Sequence, residues 1–119
     1  MKTVFIVDDS ETNLMVAKQA LEGHYKTFAM TFAARMFKLM NKITPNLILL
    51  DIDMPEMSGL EAIDKLRSDP KTANIPIILV TAHSDKKTVA RGLALEADDY
   101  IVKPFAPHIL LERIQKHIN

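Results

Sequence analysis

Leu47-Ile48-Leu49-Leu50-Asp51 reads as a strand with no polar face and an abrupt polar end. Its aliphatic residues follow one another without alternation, so both faces must be covered, as in a parallel sheet flanked by helices. Three other runs share this character: Val4-Phe5-Ile6-Val7, Ile77-Ile78-Leu79-Val80 and Tyr100-Ile101-Val102. A further stretch, Tyr25 to Ala29, is interrupted by Lys26 and Thr27, which suits a strand at a sheet edge.

The segments between these runs carry helical spacing and plausible caps. Ser10 is placed to cap a helix with Leu14, Ala17 and Leu21 on one stripe, and Gly23 lies just beyond its end. Thr31 is the expected cap of the next, whose stripe is Phe32, Met36, Leu39, Met40 and Ile43, with Pro45 after it. Ser58 precedes a helix bearing Leu60, Ile63 and Leu66, closed by Asp69-Pro70. Ser84 precedes one bearing Val89, Leu93 and Ala97. Pro107 opens a last helix with Leu110, Leu111, Ile114 and Ile118.

Strand and helix therefore alternate five times. Strict alternation predicts an α/β fold: a doubly wound, five-stranded parallel sheet with five helices on its two faces and right-handed crossovers. An edge-like second strand fits the flavodoxin-like order 2-1-3-4-5, whose ligand site lies at the carboxyl ends of strands 1 and 3, where the order reverses.

The 119 residues suit one domain, residues 1–119, with no linker or repeat. Apolar residues at 48% and charged residues at 25% exclude a disordered chain. Fifteen basic side chains balance fifteen acidic ones, so direct binding of nucleic acid or an anionic membrane is not expected. The absence of cysteine excludes disulfides, thiolate zinc sites and thiol nucleophiles. No apolar run approaches the ~20 residues that span a bilayer. The apolar start is also too short for a signal peptide before Asp8-Asp9. A cytoplasmic location is the expectation.

At the carboxyl rim, strand 1 delivers Asp8 and Asp9, strand 3 Asp51, strand 4 Thr81 and strand 5 Lys103. Alone, each is an ordinary turn, cap or surface residue; together they are not an ordinary rim. Converging carboxylates raise one another's pKa unless a cation neutralises them. Magnesium (Mg2+), a hard ion that prefers oxygen ligands, suits that need. A carboxylate can attack phosphorus to give an acyl phosphate. Phosphoryl transfer asks chiefly for positioning and for neutralising three equatorial oxygens. The metal, Lys103 and Thr81 would supply one contact each.

These residues lie in motifs that resemble the response-regulator receiver domain (CheY-like) of two-component signal transduction. The motifs are Ile6-Val7-Asp8-Asp9, Leu49-Leu50-Asp51-Ile52-Asp53-Met54-Pro55-Glu56-Met57-Ser58-Gly59, Val80-Thr81-Ala82 and Asp99-Tyr100-Ile101-Val102-Lys103-Pro104-Phe105. Four motifs in this order and spacing are specific, and the resemblance covers essentially the whole chain. Chemotaxis regulators are themselves known examples of the order 2-1-3-4-5, so the order adds no independent weight.

The resemblance implies that Asp51 is the phosphoacceptor. Asp9 would bind Mg2+ directly, Asp8 directly or through water, and Asp53 through its backbone carbonyl. Thr81 and Lys103 would bind the phosphoryl group. On phosphorylation Thr81 would move toward it and Tyr100 would turn inward, reshaping the face made by helix 4, strand 5 and helix 5. A cis Lys103-Pro104 bond is expected. The implied partners are a histidine kinase or phosphotransfer protein, and a downstream output domain or partner protein. Lys87, Arg91, Asp98 and Arg113 on the output face could form inter-subunit ion pairs in a phosphorylation-dependent dimer. The domain would be no enzyme beyond its own phosphotransfer and slow dephosphorylation.

Departures from the family pattern concern the output. Glu96 stands where a Gly commonly ends helix 4, so that cap must be built differently. Asn46 replaces a common Asp. Helix 2, with Met36, Phe37 and Met40, is unusually apolar, with core packing as its default role. Gly59 permits a close turn, Met54 and Met57 pack in the loop, and His83 borders the site. Two alternatives remain. Asp51-Ile52-Asp53 mimics the nucleophile motif of haloacid-dehalogenase-like phosphohydrolases, although Pro55 and the short chain do not fit. A degenerate, phosphate-independent binding module would lack an acidic residue, the Thr or the Lys, and this chain keeps them all.

Overall fold

A computed structural model describes residues 1–54, 56–82 and 86–118. The chain runs β1 (Thr3–Val7), α1 (Glu11–Leu21), β2 (Lys26–Met30), α2 (Ala33–Leu39), β3 (Leu47–Asp51), α3 (Gly59–Ser68), β4 (Ile77–Thr81), α4 (Lys86–Ala94), β5 (Asp99–Val102) and α5 (Pro107–His117). All strands are parallel, in the order β2-β1-β3-β4-β5, the flavodoxin-like order expected. The edge-like segment is indeed the edge strand β2, running one residue later than its alternation suggested.

Alternate residues of the strands feed two cores. Phe5, Val7, Ile48, Leu50, Ile77 and Leu79 pack toward α2 and α3, with Met36, Ile63 and Leu66. Val4, Ile6, Leu47, Leu49, Ile78 and Val80 pack toward α1 and α5, with Leu14, Leu21, Leu110 and Ile114. β3 and β4 are buried along their whole length, which is why they carry no polar face before their last residues. The register pairs Val7 with Leu50, Asp51 with Val80 and Thr81 with Val102. That stagger brings the ends of the central strands to a common rim.

Ser10 and Ser58 cap α1 and α3 as expected, accepting the N–H groups of Asn13 and Glu61. The Ser84 cap and His83 lie outside the described residues. Two expectations need correction. The N-cap of α2 is Phe32, not Thr31, and it has no side-chain capping bond. That helix is held instead by packing of Ala33 and Met36, with Phe37, Leu39, Met40 and Ile43 against the same core. Leu93 is not a packing residue of α4: it is 49% exposed, and the buried residue of that helix is Gly92. A Cβ on Gly92 would collide with Leu79 Cδ1, so the helix approaches the sheet at this glycine and Leu93 turns outward.

Past the end of α4, Glu96 adopts the left-handed region at φ 68°. Most residues other than glycine avoid it, at a cost of roughly 1–2 kcal/mol. Arg67 from the end of α3 offsets this. Its Nε and Nη2 donate to the Glu96 carbonyl at 3.0 and 2.9 Å, and Nη1 donates to the carbonyls of Ala73 and Ile75 at 2.9 and 2.8 Å. Nη2 also meets Asp98 Oδ2 at 2.9 Å, and the same oxygen accepts the Ile77 N–H at 2.8 Å. Asp98 is thus tied to α3 and to the start of β4 within the chain. Arg113 likewise pairs with Asp99 at 2.8 Å.

Candidate functional site

Asp51 ends β3 with its side chain 1% exposed. Only glycine fits at residue 59, which lies against this strand end. Its N–H donates to the Ile52 carbonyl at 2.8 Å, and an added Cβ would lie 2.7 Å from Ile52 Cα and collide with the Asp51 carbonyl. The Asp53 N–H donates to Asp51 Oδ1 at 3.2 Å. Asp51 Oδ2 is buried and, among the described residues, has no hydrogen-bond partner.

Asp8 follows β1 and is buried, its Oδ1 accepting the Ser10 N–H at 2.9 Å. Asp9 beside it is exposed. Thr81, fully buried, ends β4, and its carbonyl accepts the Lys103 N–H at 2.7 Å. The Lys103–Pro104 bond is cis, as the resemblance implied. Lys103 spans the site, with Nζ 2.9 Å from Asp8 Oδ2 and 3.2 Å from Asp51 Oδ1.

The electrostatics follow from this crowding. Burial first, then the Asp8 carboxylate, push the Asp51 carboxyl up to about 7, against the opposing pull of Lys103. Burial works against the charge on Lys103, but its bonds and proximity to Asp8 and Asp51 raise its pKa on balance. One lysine therefore leaves a buried carboxylate pair undercompensated. Asp8, Asp9 and Asp51 each offer an oxygen, and these atoms lie within 4.8 Å of one another. Hard carboxylate donors, one of them with a buried oxygen that has no hydrogen-bond partner among the described residues, fit a divalent magnesium ion.

Five residues singled out in the sequence thus share one rim: Asp8, Asp9, Asp51, Thr81 and Lys103. Asp53 lies two residues on, exposed, its N–H tied to Asp51. Tyr100 stands apart on β5 with its side chain outward, 38% exposed. Sequence patterns missed the Arg67 brace, because an arginine near a helix end is ordinary and its carbonyl partners have no sequence signature. They also missed the cluster at the foot of β5, where Asp99 binds Arg113 and sits 3.1 Å from His117 Nε2. Burial alone would raise the Asp99 pKa, but the bonds from His117, the Tyr100 N–H and Arg113 lower it on balance.

The arrangement has known counterparts. The family described as Response regulator receiver domain matches residues 4–115. A Vibrio cholerae protein named "Probable cyclic di-GMP phosphodiesterase" is 35% identical over 98% of this chain, which spans only 26% of that protein. A chemotaxis protein CheY homolog of Campylobacter jejuni is 35% identical over 94% of this chain and 88% of its own. Among solved structures, Vibrio cholerae chemotaxis protein CheY4 superposes with a TM-score of 0.93 at 26% identity, covering 99% of both chains. With its parallel sheet, its acidic rim and a family match over nearly its whole length, this chain belongs to the response-regulator receiver domain family.

Proposed function

We propose that this receiver is a phosphorylation switch whose acceptor is Asp51, served by a histidine kinase or phosphotransfer protein and read by an output domain or partner protein. The observation that carries the reading is Asp51 Oδ2: a buried carboxylate oxygen with no hydrogen-bond partner among the described residues, beside an acidic pair and a lysine.

A phosphoryl group arriving in line forms an O–P bond to Asp51 as its bond to the donor breaks, leaving an acyl phosphate. Magnesium held by Asp8, Asp9, Asp51 and the Asp53 carbonyl would supply positive charge at one phosphoryl oxygen. Lys103 exchanges its contact with Asp51 for an ion pair to a second oxygen. Thr81, at the end of β4, hydrogen-bonds the third. Its movement opens space toward β5, into which the outward Tyr100 rotates, and the α4–β5–α5 face changes shape. Of the charged residues considered for a second subunit, Lys87 is exposed and Arg91 lines a cleft with Leu60, Glu61 and Asp64 of α3, whereas Asp98 and Arg113 already pair within the chain.

Nothing in the site calls for turnover of an external substrate. Among the described residues, no helix is long and apolar enough to cross a membrane. Beryllofluoride with magnesium, which mimics the bound phosphoryl group, tests the switch. Amide resonances of Asp51, Thr81, Tyr100 and Lys103 should shift together, and not in Asp51→Asn. Shifts confined to the metal ligands, with Tyr100 unmoved, would refute the coupling to β5. Hydrolysis of an aryl phosphate that is lost in Asp51→Asn would favour a phosphohydrolase instead.

A further inference from the structure

At the edge of the sheet, β2 and α2 enclose an open groove of about 600 Å³. Its floor is apolar: Phe28, Met30 and Leu39 are buried or half-buried, and Phe32 stands at one end, 41% exposed. Its rim is cationic. Arg35, Lys38 and Lys42 are all exposed and all line the groove, and no Asp or Glu lines it. Among the described residues these three side chains make no ion pair and no hydrogen bond. In a chain whose charges balance, three unpaired cations along one groove are a local excess. Arg35 and Lys38, three residues apart, share one side of α2, and Lys42 joins them from the turn that follows the helix.

From this geometry we infer that the β2–α2 groove docks an acidic amphipathic helix of a partner protein. Leucine-like side chains would enter between Phe28, Phe32 and Leu39, and a stripe of carboxylates would face Arg35, Lys38 and Lys42. Helix-in-groove recognition needs an apolar floor and a polar rim of opposite sign, and both are present. A membrane surface fits less well, because Phe32 is the one large apolar lining residue that is exposed, while Phe28, Met30 and Leu39 are recessed. The groove gives the domain a contact that does not depend on Asp51, so a partner can be held in both states of the switch.

The test uses a synthetic amphipathic peptide with leucines on one face and glutamates on the other, followed by amide chemical shifts of the domain. Shifts should concentrate between Phe28 and Lys42. Binding should weaken by about tenfold or more in the triple variant Arg35→Glu, Lys38→Glu, Lys42→Glu. That variant should instead prefer the same peptide with lysines for glutamates, while Asp51→Asn binds the acidic peptide like wild type. Groove resonances that do not move, or binding unaffected by the charge reversal, would overturn the proposal. Vesicles of phosphatidylserine and phosphatidylcholine that bind the domain through these lysines and displace the peptide would also overturn it, assigning the face to a lipid surface. Phosphorylation of Asp51 in the triple variant controls for folding, since none of the three residues touches that site.

Discussion

Asp51 is under opposing pressures: burial and Asp8 favour its neutral form, whereas Lys103 favours the charged one, and the former prevail. The sign of the resulting pH dependence is set by the unfolded chain, where the group titrates near 3.8. Between that value and about 7 the folded protein keeps a proton that the unfolded chain has released. This contribution to stability is complete at low pH and lost as pH rises through the folded value. Metal-free protein should therefore melt lower at pH 8 than at pH 6, by on the order of 1–2 kcal/mol of stability. Asp51→Asn should flatten the dependence; an equal slope in both, followed by calorimetry, would count against the crowded carboxylates. At this scale the sequence was largely legible, because a charged residue ending a buried apolar run can only emerge at the rim. What it did not separate was Asp8 from Asp9. Only folding shows Asp8 buried against Lys103 and Asp9 exposed, since adjacent residues leave a strand end in opposite directions.

Gly59, Arg67 and Glu96 matter through the elements they join. Gly59→Ala would push a Cβ into the backbone of Asp51 and Ile52, atoms that cannot give way as a flexible side chain can. Thermal melting should show a loss of roughly 1–3 kcal/mol, together with slower phosphorylation because the acceptor moves. Arg67→Ala would leave the carbonyls of Ala73 and Ile75 without this donor and release the turn at Glu96. A loss of about 2–4 kcal/mol is expected, little restored by Arg67→Lys, which has no planar fork. Glu96→Gly should do the reverse, raising stability by up to about 1 kcal/mol through relief of its left-handed backbone. Denaturant melts of the three variants would check these signs. The α1 and α3 caps were legible from polar residues before apolar stripes, whereas α2 and α4 end at Leu39 and Ala94, short of the Ile43 and Ala97 that their stripes included. The α2 cap was not, because tertiary packing of Ala33 and Met36 replaces capping there. Nor was the rotation of α4, which depends on the fit of Gly92 against Leu79 rather than on periodicity.

Taken whole, the molecule places its only described group of three clustered carboxylates where the sheet order reverses, so folding itself assembles a site that a cation should relieve. Millimolar magnesium should accordingly raise the melting temperature at pH 8, by mass action on the folded state alone. No shift would contradict the site as a metal centre. Alternation of buried strands and amphipathic helices made this topology readable in advance, whereas the basic groove beside β2 became visible only once α2 lay against the edge. The central claim, that Asp51 accepts a phosphoryl group, is tested most directly by incubation with acetyl phosphate and magnesium followed by intact-mass analysis. The expected result is a single labile phosphoryl adduct, mapped to Asp51, absent without magnesium and absent in Asp51→Asn. An adduct that survives in Asp51→Asn, or a folded wild type that takes up neither phosphoryl group nor beryllofluoride, would contradict it.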